Sequence, residues 1–286
     1  MRTNHLTSEK ADSHNFDTGC VKRSNLFEIF EDTIYVQISD NPYLKEQAHR
    51  LRYQVYCVEH PYEDPLSNPD GLEIDKYDSH ATHCVLFHQP TAKFAGTARL
   101  ILPLEHAPER SFPIQEVCSD PSLRHAHTFP VPLIGEISRF CVAKAFHQTV
   151  RTHRAGSGPQ DRSGRAATGD QHLLRHIKLG LFQGLLRISL AEELLYWCCE
   201  MEPILLRLLA RIGMHWQPIG PLVDHHGLRQ PCIARISTLL QGVRDRDPDS
   251  WSVITGNGRY WSQLMALERT MSARCPVQDA PTLHLA

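Results

Sequence analysis

Leu133-Ile134-Gly135-Glu136-Ile137-Ser138-Arg139-Phe140-Cys141-Val142-Ala143 reads as the central strand of a sheet. Two ionisable side chains, Glu136 and Arg139, interrupt its apolar run. A charge on a buried strand is costly unless it is paired. On an ideal strand side chains alternate, so residues 136 and 139 face opposite sides. They share one site only across a β-bulge, and a bulge is therefore expected between Ile134 and Cys141.

Outward from this strand the pattern alternates. On the N-terminal side, 83–88 (HCVLFH) and 94–102 (FAGTARLIL) flank a turn at 89–93 and read as a hairpin. Before them, 26–38 reads as a short helix and a strand, and Asp40-Asn41-Pro42 opens a helix that carries Leu44, Ala48, Leu51 and Val55. Arg52 and Tyr56, four apart, share one face of it. The Pro-, Gly- and acid-rich stretch 59–72 is a loop, and 103–132 is broken by prolines with a short helix at 112–118. On the C-terminal side, 147–170 is a basic insertion rich in glycine. An amphipathic helix follows with Leu174, Ile177, Leu181, Leu185 and Ile188, then a strand at 194–199. Glu202-Pro203 starts a helix that stops at Gly213, and late strands lie at 214–218 and 232–236. The tail beyond about 245 shows one helix-like piece near 261–271. The order predicts an α/β fold with a mixed central sheet and helices on both faces.

Composition narrows the class. The 286 residues allow one large core with appendages, and 30 basic against 32 acidic side chains leave a formal charge of −2. That balance gives no electrostatic reason to expect nucleic acid. Neither a signal-like h-region at the start nor an apolar run of ~18–20 residues is present, so a cytoplasmic protein without integral membrane association is expected. Nine cysteines lack any CxxC pair and read as buried thiols. His80, His83 and His88 lack a ligand spacing, and no metal is expected. The expected organisation is a loose arm at 1–25, a main domain at 26–240 and an extension at 241–286.

Four short pieces stand together: R-x-x-x-Y (Arg52, Tyr56), D-x-x-D (Asp75, Asp78), G-T-x-R-L (Gly96 to Leu100, with Arg99) and E-x-S-R-F (Glu136 to Phe140). In this order and at these intervals they resemble the acyl-homoserine-lactone (autoinducer) synthases and the long-chain N-acyl amino acid synthases, both GNAT-like acyltransferases. RLRYQVYCVE, EISRFCVAK and EPILLRLLARIGMHWQPIGP look like a bacterial subgroup associated with PEP-CTERM/exosortase clusters, over roughly residues 28–240. The resemblance implies a GNAT-like sheet with a splayed strand. It also implies an acceptor pocket shaped by Arg52 and Tyr56, an ionic cluster of Asp75, Asp78 and Arg99, a general base at Glu136, and Arg139 beside it. Where the synthases usually carry a tryptophan after the first helix, this chain offers Tyr62. The implied acceptor is accordingly a small amine such as an amino acid. Lactone synthesis from S-adenosylmethionine is the alternative, and a catalytically silent acyl-binding module is a third.

The residue types suit this chemistry. Aminolysis of a thioester needs a base for the amine, a donor for the oxyanion and charges to hold the acceptor. A coenzyme A site of the GNAT type carries Q/R-x-x-G-x-G/A, whereas here His153-Arg154-Ala155-Gly156-Ser157-Gly158 stands a dozen residues from the helix. Acyl carrier protein is therefore preferred over coenzyme A as the bearer of the acyl co-substrate, with no permanently bound cofactor. Arg151 and Arg154, with Phe140 and Val142, are the expected donor contacts.

Overall fold

The computed structural model describes residues 25–118, 120, 123, 130–146, 148, 164–225 and 227–274. Helix α1 (Asn25–Thr33) leads directly into strand β1 (Ile34–Ile38). Asn41 then caps helix α2 (Pro42–Tyr53), its side chain accepting from the Leu44 N–H at 2.9 Å. Pro42 fills the first turn, where a missing N–H is harmless. The helix does not continue as α. Gln54–Glu59 widens into a π-helical turn, which replaces the expected four-residue alignment of Arg52 with Tyr56. Such widened turns recur at functional sites.

Strands β2 (Ala81–His88) and β3 (Lys93–Ile101) form the expected antiparallel hairpin, and β3 pairs in turn with β4 (Ile134–Val142). Thr97 lies opposite Cys141 and Arg99 opposite Ser138, so two steps on β3 match three on β4. The extra residue is the expected bulge, and Arg139 within it has φ of 49°. A non-glycine residue in that region is strained and persists only where its surroundings hold it.

The short helix α3 (Pro113–Val117) precedes β4, and the long helix α4 (Gly164–Ala191) follows it. Strand β5 (Tyr196–Met201) runs parallel to β4, with paired residues Ile134/Tyr196, Gly135/Trp197 and Glu136/Cys198. Beyond Glu136 the two strands part. Helix α5 (Pro203–Arg211) ends at Gly213, whose φ of 87° and approach to Gly242 leave no room for a Cβ. Strands β6 (Gln217–Pro218), β7 (Val223–Asp224) and β8 (Leu228–Arg235) complete one sheet in the order β1-β2-β3-β4-β5-β8-β6, with β7 paired to β8.

Alternation assigns the faces. Cys84, Leu86, Ala98 and Leu100 pack with α4, whereas Val85 packs with Leu44 and Ala48 of α2. Arg99 and Ile101 share the α2 face, and Ile101 and Ile134 pack there with Ile114 of α3.

Helix α4 begins at Gly164, so the end of the expected insertion is helical. From Ile177 to Ser189 almost every side chain of α4 is buried, so it is a core helix rather than an amphipathic one. The tail is more ordered than expected: α6 (Ile236–Arg246), α7 (Pro248–Thr255) and α8 (Arg259–Arg274) follow β8. Leu240, Val243, Val253, Ile254 and Leu264 from these helices join the same core as α4. Residues 1–24 of the expected arm, and residues 147 and 149–163 of the insertion, lie outside the described residues. The described cysteines are buried and unbridged, and no described helix is long and apolar enough to cross a membrane.

Candidate active site

Asp75 and Asp78 are positioned by a tight 3₁₀ turn (Lys76–His80) that they cap themselves. Asp75 accepts from the Tyr77 N–H at 2.9 Å, and Asp78 from the Asp75 N–H at 2.7 Å. Their remaining lone pairs meet arginines. Arg99 donates to Asp75 at 2.6 and 2.9 Å, to Asp78 at 3.0 Å and to Ser138 at 2.9 Å. Arg52, with no exposed surface, donates to Asp78 at 2.6 and 3.0 Å and to Glu73. Arg139 reaches Glu63 at 2.8 Å, Glu73 at 2.9 Å and Asp75 at 3.3 Å, and its guanidinium lies 5.3 Å from the centre of the Tyr56 ring. The bulge makes this possible by turning Arg139 to the face that carries Glu136.

Glu73 is the member that the sequence reading passed over. It is buried and bonded to both Arg52 and Arg139. Its signal was available, as the first acid of E-I-D-K-Y-D where a loop enters the sheet. Burial raises its pKa, but the two arginines outweigh this and hold it at about 2. In Asp78 burial likewise acts upward, and hydrogen bonds from His83 and Arg52 bring the carboxyl far below the usual range. Burial, reinforced by Arg52, lowers His49 to about 4 and lowers His83 as well. His49, Asp78 and His83 bring three ligating atoms within 4.8 Å of one another. The Arg52 guanidinium, 2.6 Å from Asp78 Oδ1 and 2.9 Å from His83 Nε2, already supplies the positive charge there.

All four groups have folded pKa values below their ordinary ones. The unfolded chain therefore binds more protons, and their stabilisation is present above the unfolded values and lost as pH falls. Urea denaturation is expected to show about 2–3 kcal/mol lost between pH 7 and 4 through the His49 step alone. A steeper loss should follow below about pH 4.5, where the unfolded chain protonates these two carboxylates while the folded protein still holds Glu73 and Asp78 ionised. Glu136, whose carboxyl is shifted upward, acts in the opposite sense over the same range, so the test is made in Glu136→Gln, where a flat profile from pH 7 to 4 would contradict the assignment.

Glu136 has a different setting. It is 3% exposed, and its Oε2 accepts from the Ile114 N–H at 3.0 Å. The arginines around it are engaged by Asp75, Asp78, Glu63 and Glu73. Burial, with the charge of Glu200 nearby, pushes its carboxyl well above the usual range, and the Ile114 and Arg99 contributions do not offset this.

A cavity of about 550 Å³ occupies the gap where β4 and β5 diverge. Tyr56, Asp75, Arg99, Glu136 and Arg139 line it from the α2 face. Phe140, Phe182, Leu205, Leu209 and Trp216 line it from the α4 face. Phe140 packs on Phe182 with ring centres 4.9 Å apart. Arg52 and Asp78 are not among the lining residues and stand behind Arg99 and Glu73 as supports. Val142 does not line the cavity either; it pairs with Gly96 and packs on the core. Arg151 and Arg154 lie outside the described residues. Glu200 and His225, which the sequence reading did not select, line the cavity from β5 and from the turn after β7. An acid ending an otherwise apolar strand, Y-W-C-C-E-M, was the available signal for Glu200.

No curated protein matches the chain. Among solved structures it is similar to TofI in a ternary complex with an inhibitor and MTA (19% identity, TM-score 0.48, covering 76% of this chain and 98% of that one). It is also similar to BjaI, a CoA-dependent acyl-homoserine lactone synthase with SAM and isopentyl-CoA (20%, TM-score 0.45, 78% and 98%). A third is FeeM, an N-acyl amino acid synthase from uncultured soil microbes (15%, TM-score 0.42, 75% and 98%). Residues 51–154, from the end of α2 to twelve residues past β4, match the family described as acetyltransferase (GNAT) domain. The fold is GNAT-like, and the matched domain is that of an acyltransferase.

Proposed function

We propose that this chain is an N-acyltransferase that moves a fatty acyl group from a thioester, borne by acyl carrier protein or coenzyme A, onto a small amine such as an amino acid. One observation carries the reading. A single cavity passes through the split sheet, with fixed charges on one face and apolar side chains on the other. An acyl chain suits the side of Phe182, Leu205 and Leu209, and a charged amine suits the side of Asp75, Arg99 and Arg139. Four carboxylates (Glu63, Glu73, Asp75, Asp78) against three guanidiniums (Arg52, Arg99, Arg139) leave one negative charge to attract an ammonium group.

The thioester carbonyl would sit where the two linings meet, beside Glu136 and the bulge. Past Glu136 the edge of β4 has no ladder partner in β5, which leaves backbone donors for the developing oxyanion. Glu136 is assigned as the group that receives the amine's proton. An upward-shifted carboxyl is a stronger base once ionised, and so is better matched to an amine. The sequence resemblance to autoinducer and N-acyl amino acid synthases supports the same reaction class. Arg151, Arg154 and Phe140 are the proposed contacts for the donor.

The test is incubation with acyl-carrier and acyl-coenzyme A donors of graded length and a panel of amines that includes S-adenosylmethionine. Mass spectrometry should find an amide, with one thiol released per amide formed. A lactone together with methylthioadenosine would replace the amino acid reading with the autoinducer one. Leu205→Trp, which fills the apolar side, is expected to lower kcat/KM for the longest accepted chain on the order of 10–100-fold and to spare short chains. If no thioester loses its acyl group to any amine, the proposal fails.

A further inference from the structure

A base as deeply buried as Glu136 must shed its proton before the next turnover. This follows from the proposed transfer reaction and inherits its premise. Two other titratable side chains line the same cavity, Glu200 and His225. Cys198 lies opposite Glu136 in the parallel register, so Glu200, two residues further along β5, projects to the same face of the sheet as Glu136. His225 Nδ1 lies 2.7 Å from Glu200 Oε2. Exposure rises along the row, from 3% at Glu136 to 8% for the Glu200 side chain and 42% for that of His225. The other carboxylate oxygen of Glu200, Oε1, is buried and has no hydrogen-bond partner among the described residues. A buried acceptor left without a partner is costly and marks a place where a donor is expected.

We propose that Glu200 and His225 form the proton exit of the site, carrying to solvent the proton that Glu136 accepts from the amine. The amine nitrogen bonds to the thioester carbonyl carbon, the C–S bond breaks, and the nitrogen's proton passes to the Glu136 carboxylate. Glu136 then gives it to Glu200, Glu200 to the imidazole of His225, and His225 to water or a buffer base. The products are amide and thiolate, plus one released proton. The charged groups around His225 are Glu200 on β5, Arg139 on β4 and Arg229 on β8, the last bridged to Glu202 at 3.2 Å. The hydrogen bond to Glu200 raises the imidazole pKa above its ordinary value, and burial and the two arginines reduce that rise.

The experiment is His225→Ala in the full-length chain, with saturating thioester and amine in a dilute, weakly basic buffer. The kcat is expected to fall at least ~10-fold with donor KM unchanged. Added imidazole should restore it above the enzyme-free rate, and the rate should rise with buffer concentration. Glu200→Gln should give a similar loss that imidazole does not restore. A His225→Ala enzyme with wild-type kcat and pH profile overturns the relay. So does a loss of kcat that neither imidazole nor buffer concentration alters. These outcomes are separable from failure of the reaction itself, which would show as a wild-type chain inert toward every thioester.

Discussion

Arg52→Met is expected to lower the free energy of unfolding by about 3–5 kcal/mol. The side chain is wholly buried, and its guanidinium is bonded to Glu73 and Asp78 and lies 2.9 Å from His83 Nε2. Methionine keeps much of the volume and removes the charge. Two buried carboxylates then lose a charge-assisted partner, and that loss, rather than the worth of the ion pair, sets the size of the effect. Arg139 still holds Glu73 and Arg99 still holds Asp78, so the network is weakened and not abolished. The thermal midpoint should fall by on the order of 10 °C. Arg52→Lys keeps the charge but cannot form the fork to Asp78, and an intermediate loss is expected. A methionine variant with an unchanged denaturation curve would show that the arginine is dispensable to the fold.

Glu136→Gln is expected to lower kcat by about 10²–10⁴-fold while leaving donor KM and stability close to wild type. Stability is spared because the folded protein already favours the neutral carboxyl, and the amide oxygen of glutamine can still accept from the Ile114 N–H. In the wild type, kcat should rise with pH as the carboxyl ionises, along a limb displaced above the ordinary carboxylate range. The glutamine variant should lack that limb. Wild-type turnover in Glu136→Gln would remove this residue from the chemistry.

The sheet was legible where local rules were strong. Asn41-Pro42 marked a helix start, the 89–93 turn marked a hairpin, and the clash of Glu136 with Arg139 under strict alternation marked a bulge. The π turn after Tyr53 was not legible, because its sequence satisfies an α-helical pattern equally well. The helices α6 and α7 were missed because Ser, Thr and Gly weaken their intrinsic preference, and packing against α4 decides their state. A cue did exist. Asp247-Pro248 repeats the Asn41-Pro42 pattern, and the Asp247 side chain accepts from the Ser250 N–H at 3.1 Å. In the site, D-x-x-D and the arginines were found from their motifs. Glu73, Glu200 and His225 belong to it through tertiary proximity, which no single stretch of chain encodes.

The burial of α4 has a consequence for synthesis. One flank of this helix rests on the sheet and another is covered by residues that follow β8. A ribosome adding ~5–20 residues per second therefore releases a finished sheet some seconds before its covering arrives. During that interval the nascent polypeptide displays a greasy rod to the cell. Truncation by a premature stop codon after β8 would make the interval permanent, so such a fragment should be cleared by proteases or deposited as aggregate rather than persist as a smaller folded protein.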